Sequence, residues 1–206
     1  MIVLGITGGI GSGKSRVLNE LETSYGAYIL ETDKLAHRLM EPGEAIYNRV
    51  VDAFGSGILH SEEPYAIDRK KLGQIVFSDA GQLDRLNKIV HPGVKSYIKE
   101  DIEAKRAEGN LRLYVIEAAL LLQDGYDAIC DEIWYVYVDR EERIKRLIAG
   151  RGYTREHCEK VMASQADETY YKTYADFIIN NQSDFENSSK QLKARLNILL
   201  ENDIIC

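Results

Sequence analysis

Cysteine is scarce in this chain of 206 residues: Cys130, Cys158 and Cys206 are an odd number, with no C-x-x-C spacing. That excludes a disulfide framework and a cysteine-built zinc site, and it fits a reduced cytoplasmic protein whose thiols pack or sit at the surface. The four histidines are scattered, with no H-E-x-x-H, so a histidine-built zinc site is also not expected. No run approaches the ~20 apolar residues that cross a bilayer, and no charged-then-apolar leader opens the sequence. Positive charge is in deficit, with a net of −7, which argues against nucleic acid or a membrane surface as partner. An anionic substrate would have to be met by local cations. There is no internal repeat and no low-complexity segment. A chain of this length is expected to form one domain, with a monomer favoured, that buries roughly 70 per cent of its unfolded surface.

What the chain does have is a phosphate loop. The apolar run Ile2-Val3-Leu4 leads into Gly8-Gly9-Ile10-Gly11-Ser12-Gly13-Lys14-Ser15, and a helical pattern follows from Lys14 to about Ser24. Gly8, Gly13, Lys14 and Ser15 satisfy G-x-x-x-x-G-K-[ST], in which backbone N–H groups cradle phosphates, the lysine reaches the β- and γ-phosphates and the hydroxyl binds Mg²⁺. The helix start behind the loop adds its positive dipole end. The dinucleotide fingerprint G-x-G-x-x-G fails, because Lys14 and Arg16 stand where its third glycine belongs. The site is therefore built for nucleotide phosphates and not for a nicotinamide cofactor.

Hydrophobic patterning gives the elements. Ala27–Leu30, Leu113–Glu117, Ile133–Asp139 and Phe177–Asn180 read as further strands, and the spacing predicts helices over 34–40, 44–54, 69–77, 81–90, 93–107, 140–149, 155–163 and 184–201. Residues 55–66 read as a loop. Asp68 is a good N-cap, as is Ser78 or Asp79 for the next helix. The three prolines and their neighbours punctuate: Glu41-Pro42-Gly43 stops a helix, Pro64 lies in the loop, and His91-Pro92 marks a boundary. Apolar strands alternating with helices imply an α/β fold with a parallel sheet covered on both faces. Residues 34–110 hold too much helix for one crossover and read as a helical insertion.

Three constellations accompany the loop. Glu31-Thr32-Asp33 lies at the carboxyl end of the second strand, where open α/β sheets bind ligands. Asp33 has two roles open to it, accepting a proton from an attacking hydroxyl or capping the following helix. Arg140, Arg143, Arg146, Arg151 and Arg155 crowd into sixteen positions; most read as a solvated helix face, with one or two expected to reach phosphate. Glu117 ends a strand where such proteins place an acid near Mg²⁺, although an acid there can also be a cap. The guanine-reading N-K-x-D is missing, since Asn87-Lys88 is followed by Ile89-Val90.

Beyond these, the chain resembles the dephospho-coenzyme A kinase family over nearly its whole length. The match runs through Gly5–Ser15, Asp33-Lys34-Leu35-Ala36, Glu41-Pro42-Gly43, Asp68-Arg69-Lys70-Lys71-Leu72-Gly73, Leu86-Asn87 and His91-Pro92. It continues through Leu120-Leu121-Leu122, Val138-Asp139, Ala163-Ser164-Gln165, Ala175-Asp176 and Asn180-Asn181. The resemblance implies a P-loop kinase three-layer fold: a five-stranded parallel sheet with a nucleotide-binding core about 1–33, 111–140 and 174–206, a helical substrate-binding insertion about 34–110 and a lid about 141–173. It implies transfer from ATP, with Mg²⁺, to the ribose 3′-hydroxyl of dephospho-coenzyme A.

The resemblance also implies site residues. Gly8, Gly9, Gly11, Ser12, Gly13, Lys14, Ser15 and Arg16 would hold ATP, with Ser15 on Mg²⁺ and Asn180-Asn181 near the adenine. Asp33 would be the base, Lys14, Arg146 and Arg151 would meet the transferring charge, and His91 and Glu117 would lie near the acceptor. His91 also has a helix-capping role open to it. The family's usual Asp-Ala-Asp is here Glu31-Thr32-Asp33, so only the last acid carries its role over. Arg16 replaces a common Thr, Ala119 stands where many members have Pro, and Arg151 comes one place late against Thr154. A second kinase reading on the same core, and an ATP-driven regulatory switch, are the alternatives; a small-molecule acceptor separates both from the first.

Overall fold

The structure is a computed structural model that describes residues 1–118, 121–165 and 167–202. Ala119, Leu120 and Cys206, which figured in the sequence reading, lie outside them. Five strands form one all-parallel sheet in the order β2-β3-β1-β4-β5: β1 Ile2–Thr7, β2 Tyr28–Glu31, β3 Leu113–Glu117, β4 Glu132–Tyr137 and β5 Phe177–Asn180. β1 is buried along all six residues because it is central and covered on both faces, which is why it reads as a continuous apolar run. The register sets Ile6 against Glu117, Thr7 against Tyr135 and Tyr137 against Asn180, so four carboxyl ends finish within one layer. β1 connects toward the β2 edge and β4 toward the β5 edge. Connections that diverge from adjacent strands leave a crevice at their carboxyl ends, the switch point where such sheets bind ligands.

The chain divides into two compact units. One comprises residues 1–30 and 105–206, the other residues 31–104. In the first, α1 (Lys14–Tyr25) and α9 (Phe185–Asn202) supply apolar residues to the sheet core, Val17 and Leu21 with Leu192 and Leu196 meeting Leu4, Trp134 and Ile179. α6 (Arg140–Arg151), α7 (Arg155–Ala163) and α8 (Glu168–Tyr174) complete it. Asp139 caps α6 through the Glu142 N–H and Thr154 caps α7 through the His157 N–H. Cys158 is buried with Ile144 and Leu147, and burial pushes the Cys130 thiol up to about 12, so both thiols are packing groups.

The second unit holds α2 (Thr32–Leu39), α3 (Tyr47–Phe54), α4 (Arg69–Ser78) and the greater part of α5 (Ala80–Glu108). The loop read over 55–66 contains a 3₁₀ turn, Ser56–Ile58, and a bridge between Leu59 and Ile67. Asp68 caps α4 as its position predicts, accepting from the N–H groups of Lys70 and Lys71. Asp79 takes the next cap by accepting from the Gly81 N–H.

Two expectations are corrected. The boundary read at His91-Pro92 is absent: α5 runs through Pro92 without a break. Pro92 removes one backbone donor, yet Val90, Val94, Ile98 and Ile102, spaced four apart, form one buried stripe on both sides of it, and that burial outweighs the lost bond. Close packing adds to it, because a side chain at Gly93 would run into Ile46 of the same unit. Likewise α6 does not stop at Ala149. It continues through Gly150 to Arg151 and ends on Gly152, whose φ of 65° makes the left-handed cap. Among the described residues no helix is long and apolar enough to cross a membrane.

Candidate active site

The loop after β1 is wound by its own backbone. The Ser12 N–H donates to the Gly9 carbonyl at 3.1 Å, and those of Arg16 and Val17 donate to the Gly13 carbonyl at 3.0 and 3.4 Å. The N–H groups of Gly11, Gly13, Lys14 and Ser15 donate to no acceptor among the described residues. Gly13 precedes α1 at φ 87°, a left-handed conformation that costs a residue with a side chain about 1–2 kcal/mol. The turn it makes points successive N–H groups to one side at a helix N-terminus, an arrangement that binds anions.

Lys14 folds back over this cradle. Its Nζ donates to the Gly8 carbonyl at 2.7 Å and lies 3.5 Å from the Glu117 carboxylate, and both side chains are mostly buried. Glu117 reaches that place because β3 ends on it, one register step from the end of β1. Ser15 is exposed in the first turn of α1. Arg16 turns instead toward the first residue of α9, its guanidinium 4.2 Å from the centre of the Phe185 ring.

Two side chains that sequence reasoning did not place at the site hold the outer edge of the loop. The Arg143 Nε donates to the Ile10 carbonyl at 2.8 Å, and its Nη2 donates to Gln165 Oε1 at 3.1 Å. That same Gln165 oxygen accepts the Ile10 N–H at 3.0 Å, so the Ile10 peptide is gripped at both ends. A side chain at Gly9 would displace the Arg143 guanidinium from this position, so glycine there leaves room for the Arg143 bonds to Ile10 and Gln165. Burial holds the Arg143 pKa below its ordinary value, opposed by Tyr135 and Glu168. Burial also pushes the Tyr135 hydroxyl up to about 12, with Glu168 adding to it. Both residues stood in the sequence reading, Arg143 among five arginines and Gln165 within Ala163-Ser164-Gln165. Nothing local singled them out.

The opposite edge is held from β5. The buried Asn181 amide donates to the Ser12 carbonyl at 2.7 Å and accepts from the Ser188 hydroxyl at 2.8 Å. Arg146 Nη2 donates to the Asn181 carbonyl at 2.9 Å, while its Nε donates to Glu142 at 3.2 Å. Arg146 thus lies beside the loop, and it forms an i,i+4 ion pair with Glu142. Asn180 is exposed and accepts the Gln182 N–H on its side chain at 3.1 Å. Arg151 ends α6 exposed, and it is not among the side chains that touch the loop.

The helical unit carries the other candidates. Asp33 is the second residue of α2 and is exposed; Glu31 occupies the cap position, no side chain caps the helix, and Glu31 instead pairs with Lys34 at 2.6 Å. The capping role left open for Asp33 is therefore not taken up. His91 lies in the interior of α5, so it caps nothing either.

The residues present fit a nucleotide phosphate with a divalent cation. Ser15 and Glu117 are hard oxygen donors, and Mg²⁺ asks the protein for only one or two of these. The buried Ser12 hydroxyl, inside the cradle, has no partner among the described residues, and a phosphate oxygen would give it one.

A parallel 2-3-1-4-5 sheet, an anion cradle after its central strand and a lysine folded over that cradle define a P-loop kinase. The family model described as dephospho-CoA kinase matches residues 2–187, and the chain belongs to that family. The dephospho-CoA kinase of Carboxydothermus hydrogenoformans is 37% identical over 193 residues, which are 92% of this chain and 90% of the relative. A crystal structure from Thermus thermophilus, TT1252, superposes with a TM-score of 0.78 at 30% identity, covering 96% of this chain and 97% of that one. Dephospho-CoA kinase from Campylobacter jejuni superposes with a TM-score of 0.71 at 23% identity, covering 98% of each chain, and shares the fold.

Proposed function

We infer that this protein transfers the γ-phosphoryl group of ATP to the ribose 3′-hydroxyl of dephospho-coenzyme A, giving coenzyme A and ADP, the last step of coenzyme A biosynthesis. The observation that carries the reading is Lys14, held between the Gly8 carbonyl and Glu117 at the mouth of the cradle, in a chain of this family. In the reaction the loop N–H groups hold the β- and γ-phosphates, and Lys14 exchanges its internal partners for the transferring oxygens. Positioning and charge stabilisation supply the rate, because the transition state is loose. Asp33 accepts the proton of the 3′-hydroxyl. Arg146, and Arg151 after a movement of α6 to α8, meet the charge that develops on the phosphoryl group. His91 lies toward the acceptor.

Mg²⁺ belongs to this proposal: Ser15, with Glu117 nearby, would hold it, and when bound it would supply positive charge against the phosphates of ATP. A monomeric cytoplasmic enzyme is part of the same reading. The Asn181 amide, occupied by Ser12 and Ser188, acts on ATP by fixing the loop, while Asn180 is open to the base. The test incubates the purified protein with ATP, Mg²⁺ and, separately, dephospho-coenzyme A, nucleoside monophosphates and shikimate. Mass spectrometry should find one added phosphoryl group on dephospho-coenzyme A alone. Turnover of another acceptor in its place would overturn the reading.

A further inference from the structure

Between Gly8 and Ser15 the phosphate loop carries one large apolar side chain, that of Ile10. A cradle for phosphate is made of N–H groups and gives such a side chain no work. Ile10 packs instead on the apolar seam between α6 and α7, where Ile144, Leu147 and Cys158 are buried and Tyr153 and Met162 are half-buried. The next loop residue lies on the same surface. A methyl group at Gly11 would come within 3.0 Å of the Arg143 carbonyl oxygen and 3.1 Å of Leu147 Cγ. With Arg143 on the Ile10 carbonyl and Gln165 on its N–H, the loop tip is fixed to this helix pair through main chain and side chain alike.

We propose that Ile10 is a positioning residue: through its place in the seam, a loop filled by nucleotide fixes α6 and α7 and, with them, Arg146 and Arg151. The inference rests on the reading that arginines of α6 meet the developing charge. The cluster that Ile10 joins takes Ile144 and Leu147 from α6, on either side of Arg146 in sequence. Arg151 ends the same helix four residues beyond Leu147, about 6 Å along its axis. The direction in which α6 presents both guanidiniums is therefore set where the loop tip meets it.

Ordering passes along the same contact. Phosphates that engage the N–H groups of Gly11, Gly13, Lys14 and Ser15 restrict the loop, and Ile10 is bonded directly to Gly11. Whatever holds Ile10 in one place also holds the side chains packed on it. The coupling is reciprocal, so a closed seam presents the loop in the form that takes up phosphate. Plain filling of the seam makes a different forecast: loss of the Ile10 side chain would loosen α6 and α7 equally with and without nucleotide.

Cys158, fully buried in the seam, reports its opening. The test alkylates the protein with iodoacetamide, with and without ATP and Mg²⁺ and with no acceptor, and counts label on the Cys158 peptide by mass spectrometry. In the unaltered protein ATP should slow the labelling about tenfold or more. In Ile10→Ala, at ATP concentrations that saturate the variant, the slowing should shrink to about twofold or less, whereas Ile10→Val, still β-branched, should keep most of it. Met162→Ala, on the α7 side of the same contact, should weaken the slowing too, and the double variant should lose little more than the worse single one. Ile10→Ala should also lose about tenfold in kcat while KM for dephospho-coenzyme A stays within about twofold.

Faster labelling of Ile10→Ala with the full effect of ATP retained would make Ile10 a filler of the seam and overturn the proposal. So would labelling of the unaltered protein that ATP does not change. Should Ile10→Ala not fold, Met162→Ala decides, and an undiminished effect of ATP in it counts against the coupling. Failure of the unaltered protein to phosphorylate dephospho-coenzyme A would overturn the proposed function instead; the labelling uses no acceptor, so the two failures are told apart.

Discussion

The Asn181 side-chain amide and the Ser12 carbonyl meet at 2.7 Å across 169 residues of sequence, joining the end of β5 to the phosphate loop. Both are buried, and the other end of the amide is engaged by Ser188. Asn181→Ala leaves the Ser12 carbonyl and the Ser188 hydroxyl without that partner, at a cost of about 1–3 kcal/mol. Thermal unfolding should show a lower Tm that ATP partly restores, together with a raised KM for ATP. A variant of wild-type Tm would mean that the amide does not brace the loop.

Lys14→Ala should reduce kcat by about 10²–10³-fold, the scale of losing one donor to developing charge, with KM for dephospho-coenzyme A changed little. Steady-state kinetics with each substrate varied in turn decide it; near-normal turnover removes Lys14 from the transition state.

For Asp33 the structure sharpens the test, because its carboxylate makes no cap hydrogen bond and bears on α2 only as a first-turn charge, an effect that Tm reads separately from activity. Asp33→Asn should lower kcat by about 10²-fold or more while Tm and KM for ATP stay put. Unchanged kcat would leave the acceptor's proton to another group.

Gln165→Ala deletes the acceptor shared by the Ile10 N–H and Arg143. About a tenfold fall in kcat/KM for ATP is expected, or about 1.4 kcal/mol, with a KM for dephospho-coenzyme A near wild type. Equal effects on both substrates would show a general loss of fold.

His37 gives a pH dependence of known sign. Its folded pKa lies below the unfolded value, through burial and then Arg69, with Asp33 and Glu41 opposing. The unfolded chain therefore binds the proton first as pH falls below about 6.5, and the stability held by neutral His37 is lost from there toward its lowered folded pKa. Between pH 7.5 and 5.5, Tm should fall more in the unaltered protein than in His37→Gln. Equal falls would assign the acid sensitivity elsewhere.

What the sequence made legible was what local rules decide. The loop pattern, the bounds of β3 and the caps at Asp68 and Asp79 each depend on neighbours within a few residues. Pro92 and Gly150 misled for the same reason: their local preference is to break a helix, and burial along Val90, Val94, Ile98 and Ile102 overrides it at the first. Gln165 reaches Ile10 from 155 residues away, and no periodicity encodes that meeting. Asn180-Asn181 was legible as a place but not as a division of labour, because only the folded chain turns one amide inward to Ser12 and leaves its neighbour exposed.

The tight seat of Gly13 has an evolutionary consequence. A methyl group there would meet the Asn181 amide at 2.5 Å, in addition to the strain of the residue's φ of 87°. Gly13→Ala and Asn181→Ala should therefore be epistatic, with the double variant less damaged than the sum of the two, since trimming the amide makes room for the methyl. The backbone strain would remain uncompensated. Position 13 is closed to drift by two independent locks, and a lineage that opens one still meets the other.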